Sequence, residues 1–431
     1  MDILIKNARI LRRSQKSEYS VEKNDLYIDN GQIASIGPCA DRTEPKKIID
    51  GEGKFAIPGL INCHTHVYMT CLRGIADDLP FTEWLFERIM PNEEKLTPED
   101  AYYSSLLGCY EMLSTGTTAF LEMHMFPGSV ARAAKKAGIR SMLSRGLAGT
   151  LHDEDGGGKR RIDEAQNEMR DFSDEPLLSF AFGPHAIYTT DTDYLRYISD
   201  LARKRDIQLH VHLSESVTEF DDCVQKYGCT PVEYLDRIGV FENKVIAAHC
   251  ANVTDNDIKI LADRRVNVAL NIRSNMKLGN GIPPVGKMSD AGVRLCLGTD
   301  SAASNNSLNL FNELAAVSLI PKGAERSSVR ITASQALDMA TVNGAAALGL
   351  DSGEIAAGKN ADIVLLDLNS TAFIPDTDLV SALCYSANGS EVDTVIVNGK
   401  TVIERGRHVD TDLNEIAKKI HEITNKLKEK K

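Results

Sequence analysis

The sequence predicts an α/β chain, a (β/α)8 TIM barrel with a small composite β-sandwich formed by its N- and C-terminal segments. Across residues 57–352, apolar strand-like runs alternate with helical patterns about eight times, which is the signature of a barrel rather than an open sheet. The ionisable residues gather where those runs end, the rim that carries the active site in such a fold. Residues 1–56 and 353–410 read instead as short strands and turns, and neither segment is long enough to bury a core alone. The two ends are therefore expected to combine, with the barrel inserted between them.

Each element follows from local pattern. Ile3-Leu4-Ile5 opens a strand, and alternation on both sides of Asn30-Gly31 predicts a hairpin. In the middle, strands are expected to end at His66, His124, Arg145, His185, His212, His249, Ser274 and Asp300. Between them, helices are expected over residues 98–114, 127–137, 191–204 and 255–264. Ala247-Ala248 and Leu295-Cys296-Leu297 are unbroken apolar runs, as expected of strands covered on both faces. Runs at 361–366 and 394–400 return to the style of the N-terminus. Residues 411–431 predict a charged helix with Leu413, Ile416, Ile420 and Ile423 on one face.

Composition narrows the function. A chain of 431 residues suits a large barrel plus a smaller module, and 42% hydrophobic against 26% charged residues is a globular balance. A net charge of −12 provides no field that attracts phosphate backbones, so a small-molecule partner is expected rather than nucleic acid. No apolar run approaches the roughly 20 residues that span a bilayer, so no membrane partner is expected. Met-Asp-Ile-Leu-Ile-Lys does not start a signal peptide. The nine cysteines are scattered without a Cys-x-x-Cys pair, against a disulfide framework or zinc ribbon, and a reducing cytoplasm is the simplest compartment. A homo-oligomer is compatible with all of this.

The sharpest local signal is Pro58-Gly59-Leu60-Ile61-Asn62-Cys63-His64-Thr65-His66. Alternation along a strand sends His64 and His66 to one face, where two imidazoles are a poor core filling and a good start on a metal site. The bland reading is a pair of buried histidines bonded to carbonyls. Three further strand ends weigh against it: the run through His210 and His212 to Glu215, the run into His249, and the apolar run into Asp300. A carboxylate in that position is costly without a metal or proton partner. His210 and His212 share a face, so spacing alone leaves both open as ligands, and the position nearer the strand end favours His212.

With these residues in view, the chain resembles the amidohydrolase superfamily, and within it the 5-methylthioadenosine/S-adenosylhomocysteine deaminases, including archaeal 5′-deoxyadenosine deaminases. The resemblance covers nearly the whole chain. It is carried by the His64 motif, Leu72-Arg73-Gly74 with Trp84-Leu85, Phe182-Gly183-Pro184-His185, His212-Leu213-Ser214-Glu215 and Ala247-Ala248-His249-Cys250. The most specific stretches are Asn275-Met276-Lys277-Leu278-Gly279-Asn280-Gly281 and the run from Gly298 to Asn306. The resemblance implies one divalent metal per subunit, held by His64, His66, His212 and Asp300. The fourth strand lacks the lysine that would bridge a second metal. Three imidazoles and a carboxylate suit zinc, and iron or manganese take similar ligands.

The implied reaction is hydrolytic deamination of an adenine ring. Asp300 would take a proton from the attacking water, His249 would orient that water, and Glu215 would protonate the ring. The resemblance also places Glu93 over a ribose diol and His185 near the same ribose. Read locally, Asn92-Glu93-Glu94-Lys95 is equally a solvated loop, and Trp84 is either pocket wall or core. Arg145 is the candidate for an anionic 5′-substituent, with Arg161 as its companion in an ambiguous Gly156-Gly157-Gly158-Lys159-Arg160-Arg161 run. That run lacks phosphate-loop spacing and reads as a mobile lid. The rival readings are a guanine, pterin or cytosine deaminase, a triazine hydrolase, and a catalytically dead scaffold. A cytidine-deaminase type of zinc site is excluded because no Pro-Cys-x-x-Cys occurs.

Overall fold

The computed structural model describes residues 1–14, 16–38, 44–153 and 156–429. Eight strands lie in sequence order in one sheet: Leu60–Thr65, Thr117–His124, Arg140–Leu147, Leu178–Pro184, Gln208–Leu213, Val245–His249, Asn267–Leu270 and Arg294–Leu297. Every neighbouring pair is parallel, and helices connect them, so these are barrel strands one to eight. Strands one and eight meet through a side chain. Asn62 Nδ2 donates to Thr299 Oγ1 at 2.7 Å, and the Thr299 amide donates to Asn62 Oδ1 at 3.0 Å. The Asp300 amide then donates to the His64 carbonyl at 3.0 Å. Gly298 permits this approach, because a Cβ there would stand 2.9 Å from His64 Cβ and 2.3 Å from Asn271 Oδ1.

A layer of mostly small apolar side chains plugs the barrel below its mouth. Ile61, Cys63, Ala119, Leu121, Met142, Ala181, Ile246, Ala269 and Cys296 cluster there. The fifth strand contributes no member to this layer; His210, fully buried, sits on that strand instead. Pairing of the first and second strands matches Asn62 with Phe120 but Thr65 with Glu122, so the first strand carries one extra residue there. Such a bulge re-aims side chains. Cys63 faces the apolar floor, and its neighbour His64 nonetheless reaches the interior, where Nδ1 lies 2.8 Å from His210.

The chain ends share a second sheet of nine strands. Lys54–Pro58 from the N-terminal segment pairs antiparallel with Ile363–Asp367 from the C-terminal segment. Ile5, Ile10, Leu26 and Ile28 pack with Ile363, Leu365 and Ile396 in one core, which neither end could build alone. The expected hairpin is present, with Asn30 at φ 50° and Gly31 at φ 78° turning Tyr19–Asp29 into Gln32–Ile36. The last helix runs Leu413–Glu429, and Lys430 and Lys431 lie outside the described residues. Among the described residues, no helix is long and apolar enough to cross a membrane, and eight cysteines are free thiols.

Three strand ends differ from expectation by two residues or more: strand three runs on to Leu147, strand eight stops at Leu297 before Asp300, and strand seven differs most. Barrel strand seven stops at Leu270, and Ser274 lies in the helix Ile272–Lys277. The Asn271-Ile272-Arg273 step therefore turns the chain before Ser274. The serine still faces the barrel mouth.

Candidate metal centre and active site

The hydrogen bonds around the imidazoles set their protons. Ser144 Oγ donates to the Glu122 carbonyl at 2.6 Å, so toward His210 Nδ1, 2.9 Å away, it accepts. His210 Nε2 is then an acceptor, and His64 Nδ1 donates to it at 2.8 Å. His64 Nε2 is left with a bare lone pair, fully buried and without a partner. His66 Nδ1 donates to the Met123 carbonyl and His212 Nδ1 to the His185 carbonyl, both at 2.8 Å. Their Nε2 atoms are 3.2 Å apart. Carbonyls only accept, so both Nε2 atoms also present lone pairs, and these face each other.

Asp300 completes the cluster. Its Oδ1 stands 3.5 Å from His64 Nε2 and 3.6 Å from His66 Nε2. Its Oδ2 accepts from Ser274 Oγ at 2.6 Å and Ser304 Oγ at 2.8 Å, which leaves Oδ1 as the free acceptor or metal-ligating atom. Burial lowers the pKa of His64 to about 3 and pushes His212 and His210 well below the ordinary value, so the rings are neutral. Burial works against the Asp300 charge, whereas positive charge or protons at His64, His249 and His66 would hold the carboxylate below its usual range. Converging lone pairs beside a buried carboxylate repel unless a cation sits among them. Donors about 2.0–2.1 Å from a common centre in a tetrahedron stand roughly 3.3–3.4 Å apart, close to the separations here. The residues fit a divalent metal.

The turn after the fifth strand brings Glu215 to the same mouth. Glu219 accepts from the Ser214 amide at 3.1 Å and the Glu215 amide at 2.7 Å, one through each carboxylate oxygen. Ser214 (φ 49°), His249 (φ 77°) and Asp300 (φ 58°) are all in the left-handed region, costly for non-glycine residues and characteristic of functional sites. Asn280 Nδ2 donates to Glu215 Oε1 at 3.2 Å, and Glu215 Oε2 is 3.8 Å from His249 Nε2. Burial, then the Asp300 charge, raises the Glu215 pKa well above the carboxylate range. His249 is turned by Asn275 Oδ1, 2.8 Å from its Nδ1.

These groups open into one cavity. His66, His212, Glu215, His249 and Asp300 occupy its polar end, and Glu93 and His185 line it as well. Glu93 is not on a solvated loop: it ends the short helix Met90–Glu93 and is 8% exposed. Trp84 is both wall and core, 6% exposed and stacked on Phe81 at 6.0 Å between ring centroids. Arg145 is placed elsewhere. Ser144 bonds inside the barrel and Gly146 lines the cavity, so alternation sends Arg145 outward, where Nε meets Glu164 at 3.0 Å. Arg161 is likewise engaged, by the Ala148 carbonyl at 2.9 Å and Asp153 at 3.6 Å. The glycine run expected as a lid starts the helix Gly157–Asp171, with Gly156 as its left-handed cap; Asp155 lies outside the described residues.

The model of the amidohydrolase family matches residues 55–402. The chain belongs to the amidohydrolase family. A 5-methylthioadenosine/S-adenosylhomocysteine deaminase of Caldicellulosiruptor saccharolyticus is 41% identical over 434 residues, covering 100% of this chain and 99% of the relative. Among solved structures, an adenosine deaminase from Xanthomonas campestris with bound zinc superposes with a TM-score of 0.94 at 31% identity, covering 99% of each chain. An atrazine chlorohydrolase from Arthrobacter aurescens complexed with zinc gives 0.90 at 26% identity, covering 98% of this chain and 100% of that one. This amidohydrolase is thus a hydrolytic enzyme with a divalent-metal site.

Several groups that shape the site carry no distinctive sequence signal. Ser144, Ser274 and Ser304 are ordinary serines until the fold aims them at His210 and Asp300. The proton relay from Ser144 through His210 to His64 makes a prediction. Ser144→Ala removes the acceptor that fixes the His210 tautomer, so metal affinity falls roughly 10–100-fold. Titration of the apo-protein with zinc against a competing chelator measures it; an unchanged affinity would show that the relay does not set the ligand.

Proposed function

We propose that this amidohydrolase deaminates the adenine ring of 5′-modified adenosines, giving the inosine analogue and ammonia, with one zinc per subunit held by His64, His66, His212 and Asp300. The observation that carries the reading is geometric: His64, His66, His212 and Asp300 converge at one end of the cavity with Glu215 and His249 beside them, where burial raises the Glu215 pKa and the surroundings of Asp300 lower its own. Two carboxyl groups driven apart in this way supply a base and an acid at one pH. When bound, the metal supplies the charge that brings the pKa of a water molecule from about 15.7 toward about 7.

The chain's own groups do the rest. Asp300 Oδ1, free because Oδ2 is tied to two serines, accepts the proton of the attacking water. Glu215 delivers its proton to ring N1 as C6 is attacked, which cancels the charge that develops there. His249, with Nδ1 committed to Asn275, points Nε2 toward the attacking oxygen. Asp300 then passes that proton to the departing amine, and as the C6–N bond breaks the C6 hydroxyl returns its own proton to Glu215, which leaves the C6 carbonyl, ammonia and a reset acid. Glu93 and His185 bind the ribose. Most of the remaining wall is apolar, including Phe81, Trp84, Leu85, Ile89 and Met123, and Arg145 and Arg161 are not among the lining residues.

This wall supports a preference for small, uncharged 5′-substituents. Ammonia release from zinc-loaded enzyme is expected to be fastest with 5′-deoxyadenosine and 5′-methylthioadenosine, and slower with adenosine and S-adenosylhomocysteine. Faster turnover of guanine than of any adenosine would replace this reading with that of a free-base deaminase.

A further inference from the structure

Tyr68 lies on the short helix Val67–Leu72, directly after the second histidine of the His-x-His pair. Its ring is wedged edge-on between His66 and Phe126, with centroid separations of 6.4 Å and 5.6 Å. It is 3% exposed, yet it lines the cavity together with Glu93. Its hydroxyl donates to Glu93 Oε1. Among the described residues, this is the hydrogen bond that Glu93 makes through its side chain, and Oε2 is left to the cavity.

Burial on balance raises the Glu93 pKa, so a carboxyl here needs a donor to favour its ionised form and to hold it in place. Tyr68 supplies it. A phenol has one proton, and here that proton is committed to Glu93, so toward the cavity the Tyr68 oxygen can only accept. The pair therefore presents two acceptors side by side: Glu93 Oε2 and Tyr68 Oη. Two adjacent hydroxyl donors match that pattern, and a sugar carbon lacking its hydroxyl leaves a buried acceptor unpaired, the situation in which polar sites discriminate most strongly.

We infer that Tyr68 is a specificity-determining residue, which orients Glu93 and with it reads the vicinal diol of the substrate's ribose. The inference rests on the nucleoside reading above and adds to it a second diol contact and the group that holds the first.

The test compares 5′-deoxyadenosine with 2′,5′-dideoxyadenosine as substrates of zinc-loaded wild type, Tyr68→Phe, Glu93→Gln and the double variant, with metal content and melting temperature measured on each. Loss of a hydrogen bond to a charged group predicts that Tyr68→Phe lowers kcat/KM for 5′-deoxyadenosine by about tenfold or more, mainly through KM. The dideoxy substrate is expected to lose less than about threefold, so the preference for the full diol narrows. The two substitutions are expected to be non-additive, since each breaks the same pair. An equal loss on both substrates, a loss carried by kcat alone, or full additivity overturns the inference while leaving deamination intact. Wild type that deaminates neither nucleoside overturns the functional reading and this inference with it.

Discussion

Glu215→Gln is expected to keep its metal and lose roughly 10²–10⁴-fold in kcat, the usual value of a positioned proton transfer. The glutamine preserves the contact to Asn280 and the clamp that Glu219 places on the backbone, so the turn keeps its shape. What disappears is the acidic proton. Burial and the Asp300 charge keep that proton on Glu215 well above the ordinary carboxylate range. A raised pKa means that the acid form persists as pH rises and is lost only on passing through the raised value. Wild-type kcat is therefore expected to fall on the alkaline side, and the residual activity of Glu215→Gln to lack that limb. A pH–rate profile with metal analysis on both proteins decides it. Near-wild-type turnover in the variant would remove Glu215 from the chemistry.

Stripping the metal is expected to have the largest effect of all, reducing deamination to background, with recovery on adding back zinc. The same treatment should lower the melting temperature. Without a cation, the lone pairs of His66 and His212 face each other at 3.2 Å beside the ionised Asp300. A ligand that binds only the folded state stabilises it by about 4 kcal/mol at a thousandfold excess over Kd. Chelation followed by calorimetry and an ammonia assay measures both quantities. Activity that survives exhaustive chelation with verified metal loss would contradict the proposed chemistry.

Much of the site was readable in one dimension because its donors sit at strand ends. His64, His66, His212, His249 and Asp300 lie at the ends of apolar runs, and Glu215 follows His212 by three positions. Glu93 was legible only through the resemblance. Its neighbours Asn92, Glu94 and Lys95 give it the look of a solvated loop, and the helix Met90–Glu93 with Tyr68 buries it all the same. Arg145 failed for the opposite reason. A cation at a strand end looks like a ligand for an anion, but facing alternates, and the inward places belong to Ser144 and Gly146. Tyr68 had no signal, since an aromatic after a His-x-His pair reads as packing.

The amino-acid order alone determined the succession of strands and helices, the hairpin at Asn30-Gly31, and most of the barrel-strand ends to within a residue or two, because these depend on periodicity and turn chemistry within a few residues. The tertiary structure decided which way the ends point and what they meet. The bulge against the second strand lets Cys63 and His64 both reach the interior, and Gly298 lets Asp300 come up beside His64 across 236 residues of chain. The protons on His64, His66 and His212 were settled by Ser144, Met123 and His185, partners supplied by other strands or the loops that follow them. Strand register and hydrogen-bond direction are properties of paired segments, so they arise only when distant parts of the chain are brought together.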